Sequence, residues 1–446
     1  MAYKKRWVGG ARRAHEPQNH DADHGNDSVG GRHGDLAVVR ARVEFRCRGA
    51  DGAGEGLLRS FPREDSMPSH DALSVGFIGY RFMGRAHANA LARLPTFFPD
   101  APAVERDVLV GTDERALADA TDRLGFDRYA TDWRDVVDDV DVFYNLAPNV
   151  LHVEPTIAAL DAGTHVLCEK PLAPTLDGAA RMREAASESD AVARCAFNYR
   201  FVPAIQYARD LIADGEIGDV RQVRGSYLQD WLADDDAPWS WRTDADLAGS
   251  GALGDLGAHT VDLANFLVGD RVGRVERVSG HLRTFVDERP VDGGGTKPVT
   301  VDDAFSAQVA YESGAMGTFE ASRTATGHRN DHSIAIHGTD GSVRFSLTRL
   351  NELEVHAGDA RGYETVLVTD ADDPYGDAWW PPGHVLGWEH AVVHENVAFL
   401  DAVRARERDA SANSAVPSFA AAYDVQRVLD AIETSDDRGE WVAVED

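Results

Sequence analysis

The chain shows two patterns of hydrophobic and polar positions, one on each side of residue 195. The first predicts a strand from Leu73, a helix after a glycine turn, strands at Asp107–Thr112, Asp141–Leu146 and Thr164–Cys168, and a helix at Pro155–Ala162. Strands that alternate with helices in this way predict a parallel, doubly wound sheet. We therefore predict an α/β fold whose first domain, at residues 71–195, is of the Rossmann type.

The second pattern, in residues 196–440, starts with a helix at Ala204–Asp214 and a strand at Val220–Tyr227. Further alternating stretches are separated by turn sequences such as Gly-Thr-Asp-Gly: Val301–Tyr311, Met316–Arg323, His332–His337, Ser342–Leu347, Leu353–His356 and Thr365–Thr369. This pattern predicts an α+β domain with an open, mostly antiparallel sheet. We expect a last helix, at residues 417–434, to pack back on the first domain.

Residues 1–66 fit neither pattern. They are rich in Gly, Arg and His, carry a net charge of +2 and show no sustained amphipathic period. A segment of this kind cannot bury enough apolar surface to fold alone. We predict that it is disordered, or that it is non-native sequence upstream of a true start at Met67. A basic arm that recruits a partner is the alternative.

The overall charge argues against two classes of partner. The formal net charge is −30, whereas nucleic acids and anionic membranes both require a basic face. An acidic surplus with few lysines is typical of haloarchaeal proteins, whose salt-rich cytoplasm screens the repulsion between carboxylates. No apolar run is long enough to span a membrane, and the three cysteines form neither a disulfide framework nor a metal cluster. These features predict a cytoplasmic protein.

Lysine is almost absent, which makes its remaining positions informative. The chain has four lysines, Lys4, Lys5, Lys170 and Lys297, among 45 lysine and arginine residues. Lys170 comes just after the apolar run of a predicted strand. Arginine can replace lysine as surface charge, but not where a compact ammonium or a tunable pKa is needed. Lys170 is therefore a candidate catalytic group, with an ordinary salt-bridging lysine as the alternative.

A glycine turn joins the first predicted strand to its helix. Gly79 and Gly84 match the first and third glycines of G-x-G-x-x-G, a pattern that brings backbone and a helix N-terminus close to a pyrophosphate. Arg81 replaces the second glycine and could pair with a phosphate instead. Asp113, near the end of the second strand, is a candidate partner for the ribose 2′-hydroxyl. Because Gly111 lies at the critical position before it, NAD and NADP both stay open.

A run of small residues leads into a helix with a polar face. Asp255, His259 and Asp262 are spaced i, i+4 and i+7, which places them on one side of the helix. Apolar residues are interleaved with them, as expected for a buried helix that a ligand approaches at its N-terminus. Catalysis by Asp255 and His259 is one interpretation, and a structural histidine is the other.

Several segments together carry a family pattern. They are Gly-Tyr-Arg-Phe-Met-Gly-Arg-Ala-His, Ala-Pro-Asn-Val-Leu-His, Ala-Leu-Asp-Ala-Gly-Thr-His-Val-Leu-Cys-Glu-Lys-Pro and, at Asp255–Asp262, D-x-G-x-H-x-x-D. They resemble the glucose–fructose oxidoreductase, inositol dehydrogenase and rhizopine-catabolism (Gfo/Idh/MocA) family. The resemblance covers nearly all of residues 72–440. It implies an NAD(P)-dependent dehydrogenase of a sugar, inositol or related polyol.

The resemblance also implies roles for single residues. Lys170, Asp255 and His259 would be catalytic, with His259 as the proton acceptor and Lys170 beside the reacting oxygen. The implied cofactor-binding residues are Gly79, Arg81, Phe82, Met83, Gly84, Asp113, Ala147, Pro148, Asn149, His152, Glu169 and Lys170. The implied substrate-binding residues are Asn198, Tyr199, Arg200, Trp231, Arg323 and His384. No metal is needed, because the lysine ammonium supplies the charge, and the open sheet implies a homodimer or homotetramer.

The loop Ala378–His384 stands apart because it contains Trp-Trp-Pro-Pro-Gly-His. Aromatic faces suit the C–H faces of sugars, and the loop resembles a subgroup of the family that includes levoglucosan dehydrogenases. A structural plug or a subunit contact is the alternative.

Two rival functions also stay open: a relative that retains NAD within a glycosidase-type reaction, and a non-enzymatic regulator. A regulator would be expected to lack Lys170 or His259.

Overall fold

The computed structural model describes residues 72–406 and 415–445, so the prediction for residues 1–66 lies outside the described residues. The first part of the described chain contains β1 (Leu73–Ile78), α1 (Phe82–Phe97), β2 (Val104–Val110), α2 (Glu114–Leu124), β3 (Arg128–Ala130), β4 (Val142–Asn145), α3 (Val153–Asp161), β5 (His165–Glu169), α4 (Leu176–Glu188) and β6 (Ala193–Ala196). The strands form one parallel sheet in the order β3-β2-β1-β4-β5-β6. The predicted doubly wound sheet is confirmed.

Burial explains which of these strands the sequence revealed. In β1, β4 and β5 most side chains are buried, and a parallel strand covered on both faces has a continuous apolar sequence. Strand β3 was missed because it has only three residues, none of them buried. The predicted fourth strand is therefore the fifth in chain order.

The second part contains α5 (Pro203–Ala213), β7 (Val220–Leu228), α6 (Ala245–Ala248), α7 (Ala258–Val272), β8 (Val275–Arg283), β9 (Glu288–Pro290), β10 (Thr296–Pro298), β11 (Ala304–Tyr311), β12 (Met316–Ser322), β13 (Asp331–Gly338), β14 (Gly341–Ser346), β15 (Glu352–Ala357), β16 (Glu364–Leu367), α8 (Trp388–Ala405), α9 (Phe419–Arg438) and β17 (Val442–Ala443). Nine strands form a sheet in the order β16-β15-β14-β13-β7-β12-β11-β8-β17. Its pairs are antiparallel except for β7 and β12. The predicted mostly antiparallel sheet is confirmed.

Two late helices connect the parts. Helix α8, which the sequence analysis did not predict, packs along α1. Helix α9 lies against α4 and β8, and Arg183 of α4 stacks on the ring of Tyr423 with 4.1 Å between its Cζ atom and the ring centroid. No helix within residues 72–406 or 415–445 combines the length and the apolar character that crossing a membrane requires.

Candidate active site

A cavity of about 1220 Å³ lies at the carboxyl ends of the parallel strands. Ligands of open α/β sheets bind at this edge, where the loops after neighbouring strands diverge. The first part of the chain contributes the turn between β1 and α1 and the segments after β2, β3, β4 and β5. The second part contributes residues of β7, α7 and α8, and of the loops between them. Residues of both parts of the chain therefore line one cavity.

The turn between β1 and α1 has the geometry of a phosphate cradle. Gly79 has φ +102°, a backbone conformation that residues with a side chain rarely adopt. A Cβ atom on Gly84 would collide with the carbonyl oxygen of Gly79. The N-terminus of α1 opens into the cavity without a side-chain cap, and its first turn has no acidic residue. Free N–H groups at a helix N-terminus bind anions, so these residues fit a pyrophosphate. Arg81, at the same turn, lines the cavity.

The segments after β2 and β3 form the other end of the cavity. Asp113 lines it and also caps α2, where its Oδ1 atom accepts the Ala116 N–H at 3.1 Å. Asp132, Trp133 and Arg134 line the same end. Arg134 stacks on the Trp133 ring at 4.3 Å and donates to Asp132 at 3.0 Å. This end therefore offers carboxylates and an aromatic face, which suit a ribose and a base.

Lys170 and Asp255 meet in the middle of the cavity although 85 residues separate them. The Nζ atom of Lys170 donates to the carbonyl oxygen of Asp255 at 2.7 Å and to its Oδ1 atom at 3.2 Å. Asp255 lies in a π-helical turn, Leu253–Gly257, which leads into α7. Burial alone would raise the pKa of Asp255, but the charges of Lys170, Arg242 and Arg323 outweigh it and hold the pKa below its usual value. Asp255 is therefore a carboxylate at neutral pH.

His259 lies one turn further along α7 and lines the same part of the cavity. Its ring is surrounded by aromatic rings, the nearest being that of Tyr199 at 4.7 Å between centroids. Its Nδ1 atom is buried and has no hydrogen-bond partner among the described residues. Burial, followed by the charge of Lys170 and the neighbouring His332, holds the pKa of His259 well below 6.5. His259 is therefore neutral at neutral pH and able to accept a proton.

Polar side chains from β7 and the following loops form the wall opposite the turn between β1 and α1. The hydroxyl groups of Tyr199 and Tyr227 are 2.7 Å apart, and Tyr227 donates to Asn330 Oδ1 at 2.7 Å. Gln229 Nε2 donates to the same oxygen at 2.8 Å. Trp231, which is 39 % exposed, lies next to them. This wall presents hydroxyl, amide and aromatic groups, the combination that binds a polyhydroxylated ring.

The structure brings most of the predicted residues to this cavity. The predicted residues that line it are Gly79, Arg81, Phe82, Met83, Asp113, Ala147, Pro148, Asn149, Glu169, Lys170, Asn198, Tyr199, Trp231, Asp255, His259 and Arg323. Arg323 is fully buried behind the wall, where its guanidinium donates to the carbonyl oxygens of Arg242 and Asp302. It supports the wall by these bonds.

Two of the predicted cofactor-binding residues lie beneath the cavity. Gly84 does not line it, and its lack of a side chain lets the turn and the helix pack closely. The ring of His152 is buried between two carbonyl oxygens, with Nδ1 at 2.9 Å from Pro171 and Nε2 at 3.0 Å from Ala147. His152 therefore joins the loops after β4 and β5 instead of touching a ligand.

Two of the predicted substrate-binding residues lie elsewhere. The guanidinium of Arg200 is buried and donates to both carboxylate oxygens of Asp262, with Nε distances of 3.0 and 2.9 Å. His384 is exposed, and its Nδ1 atom lies 2.7 Å from the carbonyl oxygen of Pro381. Within the same loop, Trp379 donates from Nε1 to His394 Nε2 at 2.7 Å. Trp379 thus packs beside α1 and α8, whereas Trp380 is 53 % exposed.

The sequence analysis missed several residues that line the cavity, namely Tyr227, Gln229, Trp241, Arg242 and Trp388. Arg242 is the most notable because its guanidinium stacks on Trp241 at 4.4 Å and forms no ion pair within the described residues. Its backbone is held by the Arg323 bond and by the turn that Ser240 caps. The Trp-Arg pair just upstream of the glycine run was the available signal.

This fold and this cavity define an NAD-binding oxidoreductase with a second, substrate-holding domain. Residues 73–197 match the model of the oxidoreductase family with an NAD-binding Rossmann fold, and residues 205–344 match the model of the Gfo/Idh/MocA C-terminal domain. The chain belongs to the Gfo/Idh/MocA family, and the predicted resemblance is confirmed.

Its relatives include dehydrogenases of sugars. Levoglucosan dehydrogenase of Pseudarthrobacter phenanthrenivorans is 40% identical over 393 residues, which are 83% of this chain and 98% of that protein. The crystal structure of an oxidoreductase domain protein from Kribbella flavida is 45% identical with a TM-score of 0.79, over 84% of this chain and 100% of that one. Levoglucosan dehydrogenase in complex with NADH and L-sorbose is 40% identical with a TM-score of 0.79, over 84% of this chain and 99% of that one.

Proposed function

We propose that the protein oxidises a ring hydroxyl of a neutral sugar, inositol or related polyol, with NAD as the hydride acceptor. The observation that carries this proposal is the meeting of Lys170, Asp255 and His259 between the phosphate cradle and the polar wall. NAD, when bound, supplies the carbon that takes the hydride. The residues of the chain must hold the sugar, take its hydroxyl proton and exclude water.

Each of the three central residues has a role that follows from its surroundings. His259 takes the hydroxyl proton, since it is neutral at neutral pH and lines the cavity. Lys170 places its ammonium beside the reacting oxygen and stabilises the negative charge that develops there. Asp255 holds the ammonium in place through its carbonyl oxygen and Oδ1 atom and keeps its own negative charge. The proton and the charge are thereby handled by separate groups.

The wall of the cavity determines what kind of sugar fits. The ring of Trp231 offers a face for C–H groups, while Gln229, Asn330 and Arg242 offer donors and acceptors for hydroxyl groups. The relative that carries the name levoglucosan dehydrogenase has been solved with levoglucosan and with L-sorbose. We propose neutral hexose-type rings, including anhydro sugars, as the first candidates for this chain.

Two further features of the proposal concern cofactor choice and assembly. Asp113 and Asp132 line the ribose end of the cavity, where their charges would repel a 2′-phosphate, so NAD is preferred over NADP. The open face of the nine-stranded sheet pairs with a second copy, giving a homodimer or homotetramer. The protein acts in a cytoplasm with high salt, as its acidic composition indicates.

The test is a panel of sugars and polyols assayed with NAD and with NADP in molar KCl, together with a light-scattering mass measurement. We expect NADH to accumulate when NAD is assayed with neutral sugars, and NADPH to accumulate more slowly, or not at all, when NADP is the acceptor. Cofactor that stays bound through gel filtration, with no net NADH, would favour the glycosidase-type relative. Binding of NAD and sugar without any turnover would favour a regulator.

A further inference from the structure

His87 lies at a junction of three elements behind the cavity. It belongs to α1, and its fully buried ring lies between Asn396 of α8 and Glu169 at the end of β5. Its Nε2 atom is 3.4 Å from Glu169 Oε1, and its Nδ1 atom is 2.9 Å from Asn396 Nδ2. It does not line the cavity, so it has no contact with a ligand there.

The hydrogen bonds around His87 determine which ring nitrogen carries the proton. Asn396 Nδ2 donates to the carbonyl oxygen of Val392 at 2.7 Å, and that oxygen can only accept. The amide nitrogen therefore faces His87 as well, which makes Nδ1 of the ring an acceptor. With Nδ1 as an acceptor, the ring proton is on Nε2 and points at Glu169.

Glu169 depends on this donor. It is 6 % exposed, and a buried carboxylate is costly unless donors reach its oxygens. The backbone N–H of Lys170 reaches Oε2 at 3.1 Å, and His87 is the side chain that reaches Oε1. The carboxylate thus ties the backbone of Lys170 to the ring of His87.

We propose that His87 is a positioning residue for Lys170, acting through the carboxylate of Glu169. This inference rests on the proposed function and deepens it. Because His87 belongs to the helix that follows the phosphate cradle, the same contact links the cradle to the strand end that carries Lys170. A displacement of about 1 Å in a catalytic group can cost a factor of about 10² in rate.

The experiment compares two substitutions of similar size. His87→Gln retains a donor near the position of Nε2, whereas His87→Asn retains only the contact with Asn396. We expect His87→Asn to lower kcat by about 10- to 100-fold, with an unchanged Kd for NADH and a larger primary isotope effect with deuterated sugar. His87→Gln should restore most of kcat. Equal losses in the two variants, or a wild-type kcat in His87→Asn, would overturn the proposal.

Crystal structures of the two variants keep the test independent of turnover. We expect the Glu169 carboxylate and the Lys170 side chain to be displaced in His87→Asn and to keep their places in His87→Gln. An undisplaced Glu169 in His87→Asn would also overturn the inference. If none of the sugars tested supported NAD reduction by the wild-type protein, the proposed function would fail. The two crystal structures would still decide whether His87 positions Lys170.

Discussion

Removal of the Lys170 ammonium is the most direct test of the proposed chemistry. In Lys170→Met the apolar side chain keeps a similar length but loses the charge and both bonds to Asp255. The developing charge on the sugar oxygen would then lose its nearest cation. The turn between β1 and α1 would be unaffected, so the cofactor should still bind.

The size of the effect follows from the position of Lys170. Its side chain is 15 % exposed, so an effective dielectric constant of about 20 applies. A unit charge about 4 Å from a developing oxyanion then contributes about 4 kcal/mol, or roughly 10³-fold in rate. Since water that enters the space left by the ammonium restores part of this, we expect kcat to fall by about 10²- to 10⁴-fold.

The assay is steady-state turnover with the best sugar of the panel, combined with NADH binding measured by fluorescence. Lys297→Met is the matched control, because Lys297 stacks on Trp239 outside the cavity and its loss should leave turnover unchanged. The reasoning is refuted if Lys170→Met keeps kcat within tenfold of the wild type. It is also refuted if the variant loses NADH binding and turnover together.

Three further predictions concern His259, Arg242 and His394. Because the pKa of His259 is held well below 6.5, kcat/KM should fall only on the acid side of that pH. His259→Ala should remove this acid limb of the pH profile and lower the rate by about 10²- to 10⁴-fold. An unchanged pH profile in an active variant would contradict the role of His259 as the proton acceptor. Arg242→Gln should raise KM for the sugar by about 10- to 100-fold with a smaller effect on kcat, since a hydrogen bond from a charged donor contributes about 1.5–3 kcal/mol; an unchanged KM would exclude a substrate contact. Burial lowers the pKa of His394 to about 3, and Trp379 donates a hydrogen bond to its Nε2 atom. The neutral ring of His394 therefore contributes fully to the free energy of unfolding above about pH 6.5. This contribution is lost as the pH falls toward 3, by up to about 1.4 kcal/mol per pH unit. Chemical denaturation between about pH 4 and 6 should show that the free energy of unfolding changes less with pH in His394→Gln than in the wild type. His384→Gln, at an exposed position, is the control.

Local patterns in the sequence were enough to predict both sheets, and the family resemblance supplied most of the predicted cavity residues. Strands β1, β4 and β5 were visible because burial on both faces makes their sequences continuously apolar. Lys170 was found because lysine is rare in this chain, and His259 because its spacing places it on one helix face with Asp255 and Asp262. These signals lie within a few residues of the group concerned, and no long-range contact is needed to read them.

The parts that were missed depend on contacts between distant residues. Helix α8 buries polar residues such as His394, Glu395 and Asn396 as well as apolar ones, so its sequence has no simple amphipathic face. Arg200 and Arg242 look alike in the sequence, yet one is neutralised by Asp262, 62 residues away, and the other faces the cavity. A guanidinium that binds a ligand can be told from one that pairs internally only after the chain has folded.

The charge distribution explains why the chain retains a lysine beside Asp255. With a net charge of −30, the surface repels an anionic dinucleotide, but in the salt-rich cytoplasm proposed above molar salt would shorten the screening distance to about 3 Å. A charge inside the cavity, such as that of Arg81, would then act on the dinucleotide more strongly than distant surface charges do. Arg81 lies at the proposed phosphate end, where a planar guanidinium would match the phosphate oxygens. At Asp255 one compact ammonium reaches the carbonyl oxygen and Oδ1 from a single point, and it leaves room for a substrate oxygen beside it, which a guanidinium would fill.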